Sequence, residues 1–228
     1  MGQRAFSTPF LRLQPVSSLA WFPAQRYLYQ QGEPSTTAFM IRSGIASLES
    51  VNHRGERCIV HFLGPGSIIG HEAWLGQPRC FDARACLHTV LEPLASHPGP
   101  NCLADALTDP GMAVSNLLHE ITRFRVELHR ASARQRVLLL LEQLRKAHPA
   151  EVRSIWLPSR QEMADTLDIN HVTASRVVAH LFRESVLRQD PRSDEVGVDW
   201  SQVHRLLHTE PLPGIRCPLT GPSTITPS

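Results

Sequence analysis

Lysine is all but missing from this chain: Lys146 is the single one among 23 basic side chains, the rest being arginine. That bias reads as codon composition rather than as a functional signal. Net charge is only +2, so composition by itself does not point to nucleic acid. No apolar run approaches the roughly 20 residues that a membrane helix requires. The opening stretch MGQRAFSTPFLRLQ lacks the continuous apolar centre of a secretory signal, and the residues after Met1-Gly2 lack the Ser or Thr of a myristoylation site. A cytoplasmic protein with no membrane attachment is expected. Cysteine pairs are missing too. Cys58, Cys80, Cys86, Cys102 and Cys217 form no Cys-x-x-Cys, and their odd number in a cytoplasmic chain argues against a disulfide framework. HEAWL, residues 71–75, lacks the second His of a zinc-protease helix, and neither Gly-x-Ser-x-Gly nor a phosphate loop occurs, so no enzymatic activity is expected.

What is present divides the chain. With 228 residues and 42% hydrophobic content, it can build two modest domains or one large one. From Trp21 to about Leu94, short apolar runs alternate with turn signals at Gln31-Gly32, Ser43-Gly44, Arg54-Gly55 and Gly64-Pro65-Gly66. AFMIRSG, IASLES and RCIVHFLG read as successive strands. Turns this closely spaced imply an antiparallel β-roll rather than a parallel sheet with crossover helices.

From Asp109 to His148 helical spacing takes over. Val114, Leu117, Ile121, Phe124 and Leu128 recur at alternating intervals of three and four, the pattern of a narrow apolar seam. Such a seam on a helix between two domains is most economically buried against its own copy, which predicts a twofold homodimer. The other reading is that the stripe lies on the chain's own β-domain. ARQRVLLLLEQLRKAHP is a further helix, ended by His148-Pro149. The expected organisation is a β-roll over 1–108, a dimerisation helix over 109–130 and a helical unit over 131–208. A Pro-, Thr- and Gly-rich tail over 209–228 is expected to be disordered.

The helical unit carries the sharpest signal. Ser159 and Glu162 stand three apart before an apolar-periodic run, the capping-box pattern of a helix start. Asp168 follows at a point where the backbone must turn left-handed, a conformation that Asp tolerates. Asn170 can cap a second helix, on which Ala174, Val177, Val178 and Leu181 face inward. His171, Val172, Ser175, Arg176, Ala179 and His180 are left outside. Arg can pair bidentately with guanine, and Ser can donate or accept, so this face suits a major groove. His171, Val172, Ser175 and Arg176 are the expected base contacts; Ser159, Arg160, Asn170 and Thr173 are placed to hold phosphates. VLRQDPRSDEVGVDW then reads as a two-stranded wing and SQVHRLL as a closing helix. The unit is slightly acidic, with Asp165, Asp168, Asp190, Asp194 and Glu195, so its salt dependence should be modest for a DNA binder.

In order and spacing, GEPSTTAFMIRSGIASLE, GERCIVHFLGPGSIIG with HEAWLG, and LPSRQEMADTLDINHVTASRVVAHL resemble the bacterial Crp/Fnr superfamily of transcription regulators, from about Trp21 to Leu207. The resemblance implies an α+β fold: an N-terminal antiparallel β-roll of the cyclic-nucleotide-binding jelly-roll kind, a long dimerisation helix and a C-terminal winged helix-turn-helix. It implies a homodimer on a palindromic double-stranded DNA site, with RNA polymerase as the further partner of an activator. The family commonly reads bases with a Glu and an Arg four residues apart, and one branch adds a Ser before the Arg. Ser175 and Arg176 match, but Val172 stands at the Glu position. Val cannot accept from cytosine and offers only apolar contact, for instance to a thymine methyl.

For an effector, the family's cyclic-nucleotide segment corresponds to Gly70, His71, Glu72, Arg79 and Cys80. His71 stands where a Glu is expected, Cys80 replaces a hydroxyl residue and Asp82 adds negative charge, so cyclic AMP is not expected. The first 57 residues contain no Cys, which argues against the family's iron–sulfur cluster. Haem ligands could be sought among His53, His61, His71, Cys58, Cys80 and Cys86, though lone His and Cys residues are more often packing or surface residues. Cys80 beside Arg79 suggests an acidified, redox-sensitive thiol, with Asp82 opposing that shift. No cofactor is therefore expected. A ligand-binding module acting through a protein partner rather than DNA is the alternative function.

Overall fold

The computed structural model describes residues 19–94, 110–148, 154–191 and 193–209. Cys102, Cys217 and the expected tail beyond Thr209 lie outside the described residues, so the expectation of a disordered tail does too. Eight strands form the N-terminal part: β1 (Ala20–Phe22), β2 (Tyr27–Tyr29), β3 (Ala38–Ser43), β4 (Ala46–Val51), β5 (Arg57–Leu63), β6 (Ile68–Ile69), β7 (Asp82–Ala85) and β8 (Thr89–Leu94). They pair antiparallel in two four-stranded sheets, ordered β1-β8-β3-β6 and β2-β7-β4-β5. The turn between β3 and β4 requires glycine: Gly44 has φ +87°, and a Cβ there would lie 2.2 Å from the His88 carbonyl oxygen.

The facing sides of the two sheets enclose one core. Ile41, Ile69 and Leu91 from the first sheet meet Tyr29, Leu48, Leu63 and Ala83 from the second. The outer side of the second sheet is also buried. Ile59 and Phe62 of β5, with Ile45 and Cys86, join a larger cluster built mostly by the helices.

Those helices are α1 (Pro110–His129), α2 (Ala133–Ala147), α3 (Arg160–Leu167), α4 (His171–Arg183) and α5 (Trp200–Thr209). Between and around them run β9 (Ser154–Ile155), β10 (Leu187–Gln189) and β11 (Val196–Val198), a three-stranded antiparallel sheet ordered β10-β11-β9. The two strands expected after α4 thus gain a third from the short SIWL stretch. α2 starts at a capping box of Ser132 and Gln135. It ends at His148, whose Nδ1 donates to the Leu144 carbonyl at 2.7 Å while Nε2 accepts from the Trp156 N–H at 3.1 Å. No helix among the described residues is long and apolar enough to cross a membrane.

The apolar stripe of α1, expected as a dimer seam, is partly covered by the chain itself. Phe124 and Leu128 are buried in the chain's own core, Leu117 packs against the inter-sheet cluster, and Val114 and Ile121 are half-buried. The stripe faces inward because β5 and α2 already offer it an apolar surface. The exposed large apolar residues of α1 are Leu118 and Val126, about a quarter-turn or more away.

Polar groups tie the two parts together. Arg84 of β7 donates through Nε to Glu49 of β4 at 2.7 Å and through Nη2 to Glu162 of α3 at 2.5 Å. It also reaches Gln25. Arg57 closes on Glu49 at 2.7 Å and lies 3.6 Å from Asp165 of α3. Burial alone would raise the Glu49 carboxyl, but hydrogen bonds from Arg57, Ser47 and Arg84 outweigh it and hold Glu49 below the ordinary carboxylate range. Burial likewise opposes, and Arg84 and Ser159 outweigh, at Glu162, whose pKa is also lowered. A depressed folded-state pKa contributes stability that is present above the unfolded value and lost as pH falls through the folded one. Arg84→Met leaves Glu49 buried with a weakened partner set, so it should destabilise by about 3–5 kcal/mol in urea unfolding at pH 7. The loss of stability on acidification below the ordinary carboxylate range should be shallower in that variant than in the wild type.

Candidate nucleic-acid interface

α3 begins at Ser159, whose Oγ accepts from the Glu162 N–H at 3.2 Å while the Glu162 carboxylate accepts from the Ser159 N–H at 2.9 Å. Both halves of the capping box therefore form. Met163, Ala164, Thr166 and Leu167 are buried. The helix stops at Asp168, which takes the left-handed conformation at φ 52°, ψ 54° and returns its N–H to the Ala164 carbonyl. Asn170 then caps α4, its Oδ1 accepting from the Val172 N–H at 2.8 Å. Two residues, Asp168 and Ile169, thus separate one helix from the next cap.

The carbonyls at the end of α3 are taken by arginines. Arg125 of α1 donates to Thr166 O at 3.0 Å; Arg136 of α2 donates to Leu167 O at 2.7 Å and Asp168 O at 3.1 Å. Guanidinium donors suit a helix C-terminus on both hydrogen-bonding and dipole grounds. Arg125 also donates to Ile59 O at 2.6 Å and Val60 O at 3.0 Å, so one side chain joins α3 to β5. These posts were not anticipated from the sequence.

On α4, Ala174, Val178 and Leu181 are buried and Val177 is half-buried. His171, Val172 and Arg176 are exposed on the opposite side with Ala179, His180 and Arg183, while Ser175 and Thr173 are half-buried. Val172 is 43% exposed. Arg176 makes no hydrogen bond or ion pair with the described residues, which leaves its five donors available. Ser159 and Asn170 are exposed, but their side-chain oxygens act as helix caps; Arg160 is half-buried, with Nη1 3.6 Å from Met163 Sδ. Beyond the expected set, Arg183 at the end of α4 and Arg188 on β10 are exposed on this half of the chain. The interval of seven from Arg176 to Arg183, two helical turns, was the available signal for the first of them.

The expected effector residues do come together, and much of their bonding is internal to the segment, although buried Glu72 Oε2 has no hydrogen-bond partner among the described residues. Gly70 is left-handed at φ 69° and starts a 3-10 turn over His71–Leu75. Arg79, 6% exposed, donates to Gly70 O at 2.7 Å and to Thr37 O at 2.6 Å, with its guanidinium 4.3 Å from the Tyr29 ring centroid. A Cβ on Gly70 would strike Arg79. Glu72 is buried, accepts from the Cys80 N–H at 3.0 Å and lies 3.8 Å from Arg79; His71 is half-buried beside them. The expected acidified thiol is corrected here. Burial and the Glu72 carboxylate push the Cys80 pKa up, and Asp82 is instead engaged by the Gln31 N–H at 2.6 Å. Among the described residues no cluster of three or more His, Cys, Asp or Glu could hold a metal ion.

The chain thus joins a two-sheet β-domain by helices to a unit that presents one basic, capped helix. Comparison with known proteins agrees. Residues 19–91 match the cyclic nucleotide-binding domain family. The chain is 28% identical over 158 residues to the transcriptional regulator SdrP of Thermus thermophilus, covering 68% of this chain and 76% of that protein. It is 28% identical over 184 residues to the nitrogen fixation regulation protein FixK of Rhizobium meliloti, covering 78% and 82%. Among solved structures, a Crp/Fnr-family transcriptional regulator of Thermus thermophilus superposes with TM-score 0.67 at 25% identity, covering 83% of this chain and 98% of that one. FixK2 of Bradyrhizobium japonicum superposes with TM-score 0.70 at 19% identity, covering 84% and 97%. In sequence and fold the chain is similar to Crp/Fnr-family transcription regulators.

The left-handed residue between α3 and α4 sets their crossing. Asp168→Gly should leave stability unchanged or raise it, whereas Asp168→Val should cost about 1–2 kcal/mol, measured by thermal or urea unfolding of both variants.

Proposed function

We propose that the protein works as a cytoplasmic homodimer on a palindromic DNA site, with α3 and α4 as a helix-turn-helix and β10 and β11 as its wing. α4 would enter the major groove by its N-terminal face, where His171, Val172, Ser175 and Arg176 meet base edges. Ser159, Arg160, Asn170 and Thr173 would lie against phosphates. The observation that carries this reading is the exposed, unpaired Arg176 beside exposed Val172 on a helix whose other face is fully packed. The working divisions are 1–108 for the β-domain, 109–130 for the connecting helix, 131–208 for the DNA-binding unit and 209–228 for a tail. An activator of this kind would also meet RNA polymerase; no catalytic role is proposed.

Cyclic AMP is not proposed as the effector. Its anion site would need the guanidinium of Arg79, which is already shared between two backbone carbonyls under Tyr29. Neither an iron–sulfur cluster nor haem is proposed.

Selection of bound sequences from a random duplex pool at moderate salt should enrich a palindrome with half-sites about one helical turn apart. Arg176→Ala should weaken binding by about 1–3 kcal/mol and relax one base pair per half-site; uniform weakening across sequences would make Arg176 a phosphate contact instead. Val172→Glu should shift the preferred base at one position, and an unchanged preference would count against this docking of α4.

The dimer would form along the face of α1 that carries Leu118 and Val126, with Thr122 between them at successive intervals of four. Leu118 is 63% and Val126 60% exposed, which is unfavourable in a lone protomer. Leu118→Arg with Val126→Arg should give a monomer by analytical ultracentrifugation with its thermal unfolding preserved. A variant that remains dimeric would place the interface elsewhere.

A further inference from the structure

An opening lies apart from the Gly70–Cys80 segment, where the β-domain meets the helices. It is a cavity of about 620 Å³ walled by the end of β5, by α1, by α2 and by α5. That volume is within the range of small-molecule sites. Its apolar wall is made by Phe62, Leu63, Phe124, Leu139 and Leu207. His61 and Gln143 line it too, and both are more than nine-tenths buried. His61 is held neutral at physiological pH, its pKa pushed down to about 4 by burial and by the charges of Arg125 and Lys146. His61 Nδ1 and Gln143 Oε1 have no hydrogen-bond partner in the described residues, whereas buried polar atoms ordinarily have one.

The polar side chains around the cavity differ in availability. Arg123 is paired with Glu127 at 2.9 Å and Arg145 with Glu142 at 3.0 Å. Lys146, His119, His204 and His208 are exposed around the opening, and none forms an ion pair among the described residues. Against them stands Glu120, also exposed. The chain's only lysine is thus at the edge of this cavity, close enough to bear on buried His61.

We infer that this cavity binds a small aromatic anion. Its ring body would lie on Phe62, Phe124, Leu139 and Leu207, and its carboxylate, sulfonate or phosphate would face Lys146 and the exposed histidines. A donor group on the same molecule would suit the open acceptor at Gln143. The walls come from both halves of the chain, so an occupant would bear on the angle at which α3 and α4 are presented. That consequence rests on the regulator reading above, whereas the binding itself does not.

The probe is 8-anilinonaphthalene-1-sulfonate, an aromatic anion with one N–H donor, titrated by fluorescence into the full chain without DNA. One probe per protomer is expected, with affinity at least tenfold weaker in Leu139→Trp, which fills the cavity, and in Lys146→Glu, which reverses the charge at its edge. Circular dichroism and thermal unfolding check that each variant is folded; if Leu139→Trp does not fold, exposed Lys146→Glu decides alone. Wild-type affinity in either folded variant, or several equivalent probes per protomer, overturns the proposal. Since no DNA is present, a failed titration leaves the DNA reading intact, and a failed sequence selection leaves the cavity intact.

Discussion

Arg84 lies between two carboxylates that come from opposite halves of the chain, Glu49 on a β-strand and Glu162 in the first turn of α3. Glu162 is also the reciprocal member of the cap that starts this helix. The same carboxylate therefore fixes where α3 begins and where it docks. At the other end, Arg125 and Arg136 take the last carbonyls of α3. A helix held at both ends by guanidinium groups from the β-domain, α1 and α2 has little freedom to slide, and α4 inherits its orientation through the two-residue turn at Asp168 and Ile169.

Ion pairs of this kind contribute more to the choice of one arrangement than to raw stability. Taking Arg84, Glu49 and Glu162 out of water costs several kcal/mol per ion, and their attraction offsets this only when every remaining lone pair and proton is met. Here Ser47, Arg57, Ser159 and Gln25 supply those partners. Apolar contact between the halves is also extensive, with Phe62 edge-on to Trp156 at 5.7 Å and Ile59 in one cluster with Met163 and Leu167. The apolar contact supplies most of the driving force, but it is non-directional. The charged groups select the register.

What could be read from the sequence follows the range of the interactions concerned. The α3-turn-α4 unit was legible because its signals are local: a cap three residues from its partner, an Asp able to turn left-handed and an Asn cap two residues later. β3, β4 and β5 were legible because glycine turns bound them. The stripe on α1 was legible as a helix face but not as an interface, since periodicity says that a face is apolar and not what covers it. The covering surface, β5 with α2, is assembled by residues some 60 positions upstream and a few downstream. The arginines at the ends of α3 were illegible for the same reason. In a chain whose basic residues are nearly all arginine, nothing local distinguishes Arg84, Arg125 and Arg136 from the rest.

The effector segment shows how a familiar pattern can be retained while its chemistry changes. Gly70, Glu72 and Arg79 were expected, from resemblance, near an anion site, yet the guanidinium is directed onto backbone carbonyls and an aromatic ring. A ligand anion would have to displace two short hydrogen bonds and reopen a closed turn in which even a methyl on Gly70 has no room. The cavity at the junction makes no such demand, because Lys146 is exposed and His61 Nδ1 and Gln143 Oε1 lack partners among the described residues. These two buried polar atoms left open in the interior thus lie where β5, α1 and α2 meet, close to Arg125, one of the arginines that hold α3.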